Sequence, residues 1–267
     1  MEHRKNDIVR LKITDIQTEG MGVGKIDGYA LFVKDTVVGD VIDVRIVKVK
    51  KNYGYGRVEK IVSPSPDRVS PRCPDAKRCG GCQLQEMSYE AQLAFKTNKV
   101  RNSLVRIGGF DPSLIDGIME PIIGMEDPWR YRNKAQYPIG TDKDGNPVAG
   151  FYAGRTHDII PVDDCLLGAA ENKEILDAVL SYMKEHGIPA YDEKTGEGCV
   201  RHVLIRKGFG TGQIMVCIVV NTENETEGTE LFVTPPLSTV LGEASQIGVT
   251  KRTVPVVTSL SLNINNK

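Results

Sequence analysis

Val41-Ile42-Asp43-Val44-Arg45-Ile46-Val47-Lys48-Val49 decides how the first part of this chain folds. Ile42, Val44 and Ile46 alternate with Asp43 and Arg45, and β-branched residues dominate, so the stretch reads as a strand with one face in a core. Working outward, Tyr29–Val33 is a second strand and Lys34-Asp35-Thr36 a turn. Asp7–Asp15 alternates in part through Val9, Leu11 and Ile13, and Gly56–Ile61 closes the set. Gly20-Met21-Gly22-Val23-Gly24 is too rich in glycine for helix and reads as a turn. Short strands at this spacing fit a small five-stranded β-barrel of the OB type. Ser63-Pro64-Ser65-Pro66 ends it, because paired prolines remove donors and stiffen a linker. The expected first domain therefore spans residues 1–66, and residues 67–267 form a second.

The chain has 267 residues, 40% hydrophobic and 26% charged, which suits a water-soluble globular protein of two domains. No apolar run is long enough for a membrane-spanning helix, so no membrane partner is expected. The net charge of −1 announces no polyanion, but the distribution does. From Arg45 to Lys60 stand Arg45, Lys48, Lys50, Lys51, Arg57 and Lys60 against one internal acid, Glu59. Lys48, Lys50, Lys51, Arg57 and Lys60 can neutralise phosphates, with Tyr53 and Tyr55 interleaved as stacking surfaces. The plainer reading is a solvated strand with two packed tyrosines.

Four cysteines carry the sharpest chemical signal. Cys73, Cys79 and Cys82 form a C-x5-C-x2-C run with Pro74, Gly80 and Gly81 inside it, and Cys165 lies far downstream. Three thiols in one tight loop supply three ligands, and Cys165 is the expected fourth. An all-thiolate site suits either a [4Fe–4S] cluster or a structural zinc. The N-terminus lacks the apolar core of a signal peptide, so a cytoplasmic location is expected, where clustered cysteines bind metal more often than they form disulfides. Cys199 and Cys217 sit in apolar strand-like runs and read as small buried hydrophobes.

Elsewhere the chain is mixed α and β. Ser88 can cap a helix whose apolar residues are Tyr89, Leu93, Val100, Leu104 and Ile107, stopped at Gly108-Gly109. Its other face carries Lys96, Lys99, Arg101 and Arg106 and leans toward a polyanion contact. A second helix spans about 169–186, and strands follow at Val200–Lys207, Gln213–Val220, Leu231–Val233 and Ser259–Asn265. Gly208-Phe209-Gly210-Thr211-Gly212 looks like a nucleotide loop, but such loops open helices and this one leads into a strand. It reads as a hairpin turn. In Trp129-Arg130-Tyr131-Arg132-Asn133-Lys134, alternation would put Arg130, Arg132 and Lys134 on one side. With Asn133 they are further RNA candidates, while Trp129 reads rather as core. The Asn224-Glu225-Thr226 sequon is idle in a cytoplasmic chain.

Gly20-x-Gly22-x-Gly24, Val33, Val38-Gly39-Asp40-Val41 and the basic stretch ending at Ser63-Pro64 resemble a TRAM domain. Followed by Arg72-Cys73-Pro74, Cys79-Gly80-Gly81-Cys82, Gln85, Tyr89 and Lys96, the chain resembles the 23S ribosomal RNA (uracil-5-)-methyltransferase family. Trp129–Ala135 and Arg201–Arg206 are similar to that family's central domain. Methylthiotransferases that also carry this barrel use C-x3-C-x2-C, which is absent here. The resemblance implies a TRAM/OB-like barrel and then an α+β domain with a [4Fe–4S] cluster on Cys73, Cys79, Cys82 and Cys165. It also implies 23S rRNA as partner, with no DNA, and S-adenosylmethionine as methyl donor. In that chemistry a cysteine adds to uracil C6, C5 attacks the methyl group, and a base removes the C5 proton. The family's Rossmann-like catalytic domain would lie beyond residue 267, so no catalytic residue is assigned in this chain and none of its own methylation is expected. A zinc-stapled RNA-binding protein and a redox- or iron-sensing cluster protein are the other expectations.

Overall fold

The computed structural model describes residues 4–154 and 156–221, and the backbone of 259–264. The expected strand at Leu231–Val233 and the sequon lie outside the described residues. The chain divides into two compact units: residues 1–77 with 82–126, and residues 78–81 with 127–267.

The first unit is built on a six-stranded sheet. Its strands are β1 (Ile8–Lys12), β2 (Asp15–Ile16), β3 (Gly22–Ile26), β4 (Tyr29–Val33), β5 (Val41–Val49) and β6 (Tyr53–Ser63), in the order β1-β5-β6-β4-β3-β2. All pairs are antiparallel except β4 with β6. Alternation sets the core: Leu11, Ile13, Leu31, Val33, Ile42, Val44 and Ile46 are sealed from solvent. The glycine-rich segment is no turn from Gly22 onward but strand β3. A Cβ on Gly24 would lie 2.4 Å from the Lys12 carbonyl oxygen, and one on Gly22 2.1 Å from Thr36 Oγ1. These glycines let the backbone approach its neighbours closely, a tertiary requirement that outweighs strand propensity.

The Ser63–Pro66 stretch is no loose linker. Ser65 is buried, and its N–H donates to Asp40 Oδ1 at 2.8 Å. Asp40, fully buried, also accepts from the Val37 N–H at 2.8 Å and from Arg68 Nη2 at 2.6 Å. Arg68 Nη1 reaches Glu86 Oε2 at 2.8 Å. Burial alone would raise the Asp40 pKa, but the guanidinium and the two backbone donors prevail and hold it below the usual carboxylate range.

Helix α1 (Tyr89–Asn102) starts where expected, with Ser88 Oγ accepting the Ala91 N–H at 3.2 Å. It runs into a π-helical turn, Ser103–Ile107, capped at Gly108. No α1 residue is buried, so its apolar spacing does not mark a core-facing stripe within this unit. A short α2 (Pro112–Ile118), capped by Asp111, was not anticipated. Its Asp116 holds Arg101 (Nη2–Oδ2, 2.7 Å), so the basic face of α1 is partly neutralised by an acid from another element.

The second unit pairs β7 (Lys134–Thr141), β8 (Pro147–Tyr152), β9 (Ile159–Pro161), β10 (Val200–Lys207), β11 (Ile214–Val220) and β12 (Ser259–Ile264) in the order β12-β11-β10-β7-β8-β9. Helix α3 (Glu171–Glu185) lays Ile175, Leu176, Val179, Tyr182 and Met183 onto the sheet face of Tyr137, Ile139, Val203, Ile205, Val216 and Ile218. Cys199 belongs to this core. Gly208–Gly212 is the expected turn, with the Gly208 N–H donating to the Gln213 carbonyl at 2.9 Å between antiparallel β10 and β11. Burial pushes the Tyr137 phenol up to about 12, and its oxygen accepts from Asn172 Nδ2 at 3.1 Å.

Candidate RNA interface and cysteine sites

The barrel presents one aromatic and basic row. Cross-strand register aligns Val23 of β3, Phe32 of β4, Tyr55 of β6 and Lys48 of β5. Leu31 and Val33 point into the core, so Phe32 points out, and the alternation in β6 does the same for Tyr53, Tyr55 and Arg57. Gly54 and Gly56 make that possible. A Cβ on Gly56 would lie 2.3 Å from Val44 Cγ2, and one on Gly54 2.9 Å from the Lys48 carbonyl oxygen. The Tyr-Gly-Tyr-Gly pattern thus packs its blank side inward and lifts two rings outward.

Phe32, Tyr53 and Tyr55 form one cluster, with ring centroids 5.6 to 5.8 Å apart. Around it stand Lys48, Lys50 and Lys51, exposed and in no ion pair among the described residues. Tyr29 fixes the turn that carries Lys50 and Lys51, its hydroxyl donating to the Lys50 carbonyl at 2.9 Å. Arg57 is exposed but shares Glu59 Oε1 (3.3 Å) with Arg45 (2.7 Å). Phe32 is the residue that reading the sequence missed. Its signal was an aromatic at the outward position of an otherwise core-facing strand.

The second expected cluster, Arg130 to Lys134, is divided by the structure. The strand starts only at Lys134, and Arg130 takes a left-handed backbone (φ 56°), so the expected alternation does not hold. Arg130 Nη1 donates to Asp164 Oδ1 at 2.7 Å and to the carbonyls of Cys165 (3.1 Å) and Gly168 (3.3 Å). Its guanidinium holds the Asp164 carboxyl below its usual range. The Arg130 and Arg132 N–H groups donate to Leu166 and Leu167 at 2.9 Å. Arg130 is therefore a clamp on the turn that carries Cys165. Arg132, Asn133 and Lys134 stay exposed, Tyr131 is exposed, and Trp129 is half-buried rather than core.

None of the six cysteines is in a disulfide. Cys73 and Cys82 belong to the first unit, Cys79 and Cys165 to the second. The Cys73 N–H donates to Gln85 Oε1 at 3.3 Å. Cys79 bridges to Ala153, and the Gly80 N–H donates to the Tyr152 carbonyl at 3.1 Å. A Cβ at Gly80 would sit 3.0 Å from that same oxygen, so any larger residue would have to push the loop away by a few tenths of an ångström. The Gly81 N–H points at Cys79 Sγ, 3.4 Å away, as a donor that favours a thiolate. The donor set fits a thiolate-bound metal in its chemistry. Among the described residues, however, no three His, Cys, Asp or Glu side chains converge as a metal site.

The side chains of this outward aromatic and basic row lie within residues 3–58, which match the TRAM domain model. The relatives extend this. An uncharacterized RNA methyltransferase of Halalkalibacterium halodurans is 42% identical over 98% of this chain and 53% of its own length. Another from Clostridium acetobutylicum is 44% identical over 86% of this chain and 49% of its own. The crystal structure of Pyrococcus abyssi tRNA (uracil-54, C5)-methyltransferase with S-adenosyl-L-homocysteine superposes with a TM-score of 0.58. It is 28% identical and matches 83% of this chain and 48% of that one. The chain carries a TRAM domain, is similar to RNA methyltransferases along most of its length, and spans about half the length of the curated relatives it matches.

Proposed function

We propose that these two units grip RNA for an S-adenosylmethionine-dependent methylation of uracil at C5. The observation that carries the reading is the row Phe32, Tyr55, Lys48 with Tyr53, Lys50 and Lys51 beside it. Rings take splayed bases on their faces and ammonium groups take the intervening phosphates, a pairing that suits single-stranded segments. A base must leave its stack to be methylated, and holding the flanking nucleotides offsets that cost. S-adenosylmethionine would supply the methyl group. Gly208–Gly212 leads into β11 rather than a helix and does not fit a cradle for it. The described residues accordingly enter as RNA-binding and positioning groups, with no methyl transfer by these two units alone.

Uracil C5 as target rests on the sequence resemblance and on the name of the Pyrococcus neighbour. The resemblance favours 23S rRNA as substrate, and the neighbour's name favours tRNA as the second reading. The test is ultraviolet crosslinking of the full chain to 23S rRNA fragments and, separately, to unmodified tRNA, followed by mapping of the crosslinked peptides. Crosslinks within Phe32 or Tyr53–Arg57 support the reading. Crosslinks confined to other parts of the chain would overturn it.

Cys73, Cys79, Cys82 and Cys165 are the ligands of an iron–sulfur cluster in this proposal. Its support is the spacing, four thiols outside disulfides and the Gly81 donor at Cys79. Arg130 would serve it by fixing the Cys165 turn. Reduced thiols and such a cluster suit the cytoplasm. Protein purified without oxygen should contain iron and acid-labile sulfide and absorb in the visible, and Cys165→Ser should lose both. Colourless protein with stoichiometric zinc would replace iron by zinc.

A further inference from the structure

The second unit holds a cleft that the proposed function leaves without a role. Its volume is about 640 Å³, within the range of small-ligand sites, and the ends of β7, β8, β9 and β10 form its walls with the segment at 191–194. Two aromatic groups line it. Tyr152 and His157 are stacked, with centroids 5.2 Å apart and planes 30° from parallel. Tyr191 lies under the Arg201 guanidinium at 4.4 Å. Glu193 ties the first pair together, accepting from Tyr152 Oη at 3.3 Å and meeting His157 Nδ1. His202 completes the wall beside Arg201.

We propose that this cleft is a nucleotide pocket that takes one unpaired RNA base between the Tyr152–His157 and Tyr191–Arg201 surfaces. The inference rests on the reading of the chain as RNA-binding. Flat π-faces suit a heteroaromatic ring, since base–aromatic stacking tolerates any base. A guanidinium over a ring adds a second stacking plane that carries positive charge for the attached phosphate. The carboxylate of Glu193 gives the base edge an acceptor. A sugar, with no π-face, would leave both aromatic groups unused, and a bare anion would meet Arg201 and Lys194 beside Glu193, Asp158 and Asp192 but leave the aromatic faces equally unused. The strands supply rigid walls, which lowers the ordering cost of capture.

The histidines report the pocket without any substitution. His157 and His202 line it, whereas His186 packs on Tyr182 at the end of α3, outside it. The ring Cε1–H resonances of the full chain are followed while nucleoside 5′-monophosphates are added to about 10 mM, above a dissociation constant on the order of 1 mM for one base. Inorganic phosphate is titrated in parallel. The proposal expects His157 and His202 to shift saturably with nucleotides, not with phosphate, and His186 to stay still. Tyr191→Ala should weaken the response and Tyr191→Phe keep it. Equal shifts with phosphate alone would overturn the pocket in favour of a simple anion site. No shift, in protein that still binds single-stranded RNA by fluorescence anisotropy, would overturn the pocket and leave the RNA reading intact. Loss of RNA binding altogether would instead overturn the reading on which the pocket rests.

Discussion

Asp40→Asn isolates what joins the barrel to the chain that follows it. The change is nearly isosteric, yet every neighbour of this carboxylate is a donor: the N–H groups of Val37 and Ser65, both at 2.8 Å, and Arg68 Nη2 at 2.6 Å. An amide NH2 turned to either side sets donor against donor. It also leaves the Arg68 guanidinium, only 12% exposed, with Glu86 as its one carboxylate partner. Breaking a buried ion pair from one side costs about 3–5 kcal/mol. Glu86 retains part of the pairing, so a loss of about 3 kcal/mol is expected, which is roughly a 150-fold rise in the opening constant. Native-state hydrogen exchange reads it at Ile46, whose N–H donates to the Asp7 carbonyl at 2.9 Å inside the barrel. The control is Asp43→Asn, which breaks only the solvent-exposed pair with Arg10 and should leave that exchange rate nearly unchanged. An Asp40→Asn protein whose Ile46 amide exchanges within threefold of wild type would refute the reasoning.

Further outcomes follow from the same geometry. The Asp40 pKa lies below its ordinary value, so its contribution to stability is full above the unfolded value of about 3.9 and is lost as pH falls through the folded one. A urea midpoint followed from pH 6 to pH 3 should drop more steeply for wild type than for Asp40→Asn. Gly56→Ala would drive a methyl group to 2.3 Å from Val44 Cγ2 in the barrel core and should cost about 1–3 kcal/mol, measured by chemical denaturation. Tyr55→Ala removes one stacking face and should weaken single-stranded RNA binding by about 1–3 kcal/mol in anisotropy titrations. Arg130→Ala removes the donor to the carbonyls of Cys165 and Gly168. It should lower the iron content of anaerobically purified protein, and Arg130→Lys should rescue it poorly because an ammonium cannot reproduce the forked contact with Asp164.

The strands were legible where period-two alternation meets a core. Tyr29–Val33 and Val41–Val49 lie where their patterns place them, and α3 ends at the expected glycine, Gly187, with φ 64°. What stayed hidden is set by partners distant in sequence. Gly22 and Gly24 read as turn residues because nothing local reveals that the Lys12 carbonyl and Thr36 will press against them. Ser65 reads as linker until Asp40 appears beneath it. Arg130 reads as one member of an alternating strand face, but its left-handed backbone breaks that alternation and its guanidinium meets Asp164. Most of the aromatic and basic face, Lys48 to Arg57, could be read as a continuous run. Phe32 joins it only through the parallel pairing of β4 with β6. The cleft draws Tyr152, His157, Tyr191, Glu193 and Arg201 from separate segments, and no motif announces it.

The central claim is that the Lys48, Lys50 and Lys51 side chains of the barrel meet RNA phosphates. The salt dependence of binding tests it most directly. Affinity for a single-stranded RNA is measured from 50 to 300 mM salt for wild type and for the Lys48→Ala/Lys50→Ala/Lys51→Ala variant. Each lost phosphate contact should flatten the slope of log K against log salt by about 0.7, or about 2 for all three. The account predicts that shallower slope together with weaker binding. Equal slopes in the two proteins would contradict it, placing the RNA elsewhere on the chain.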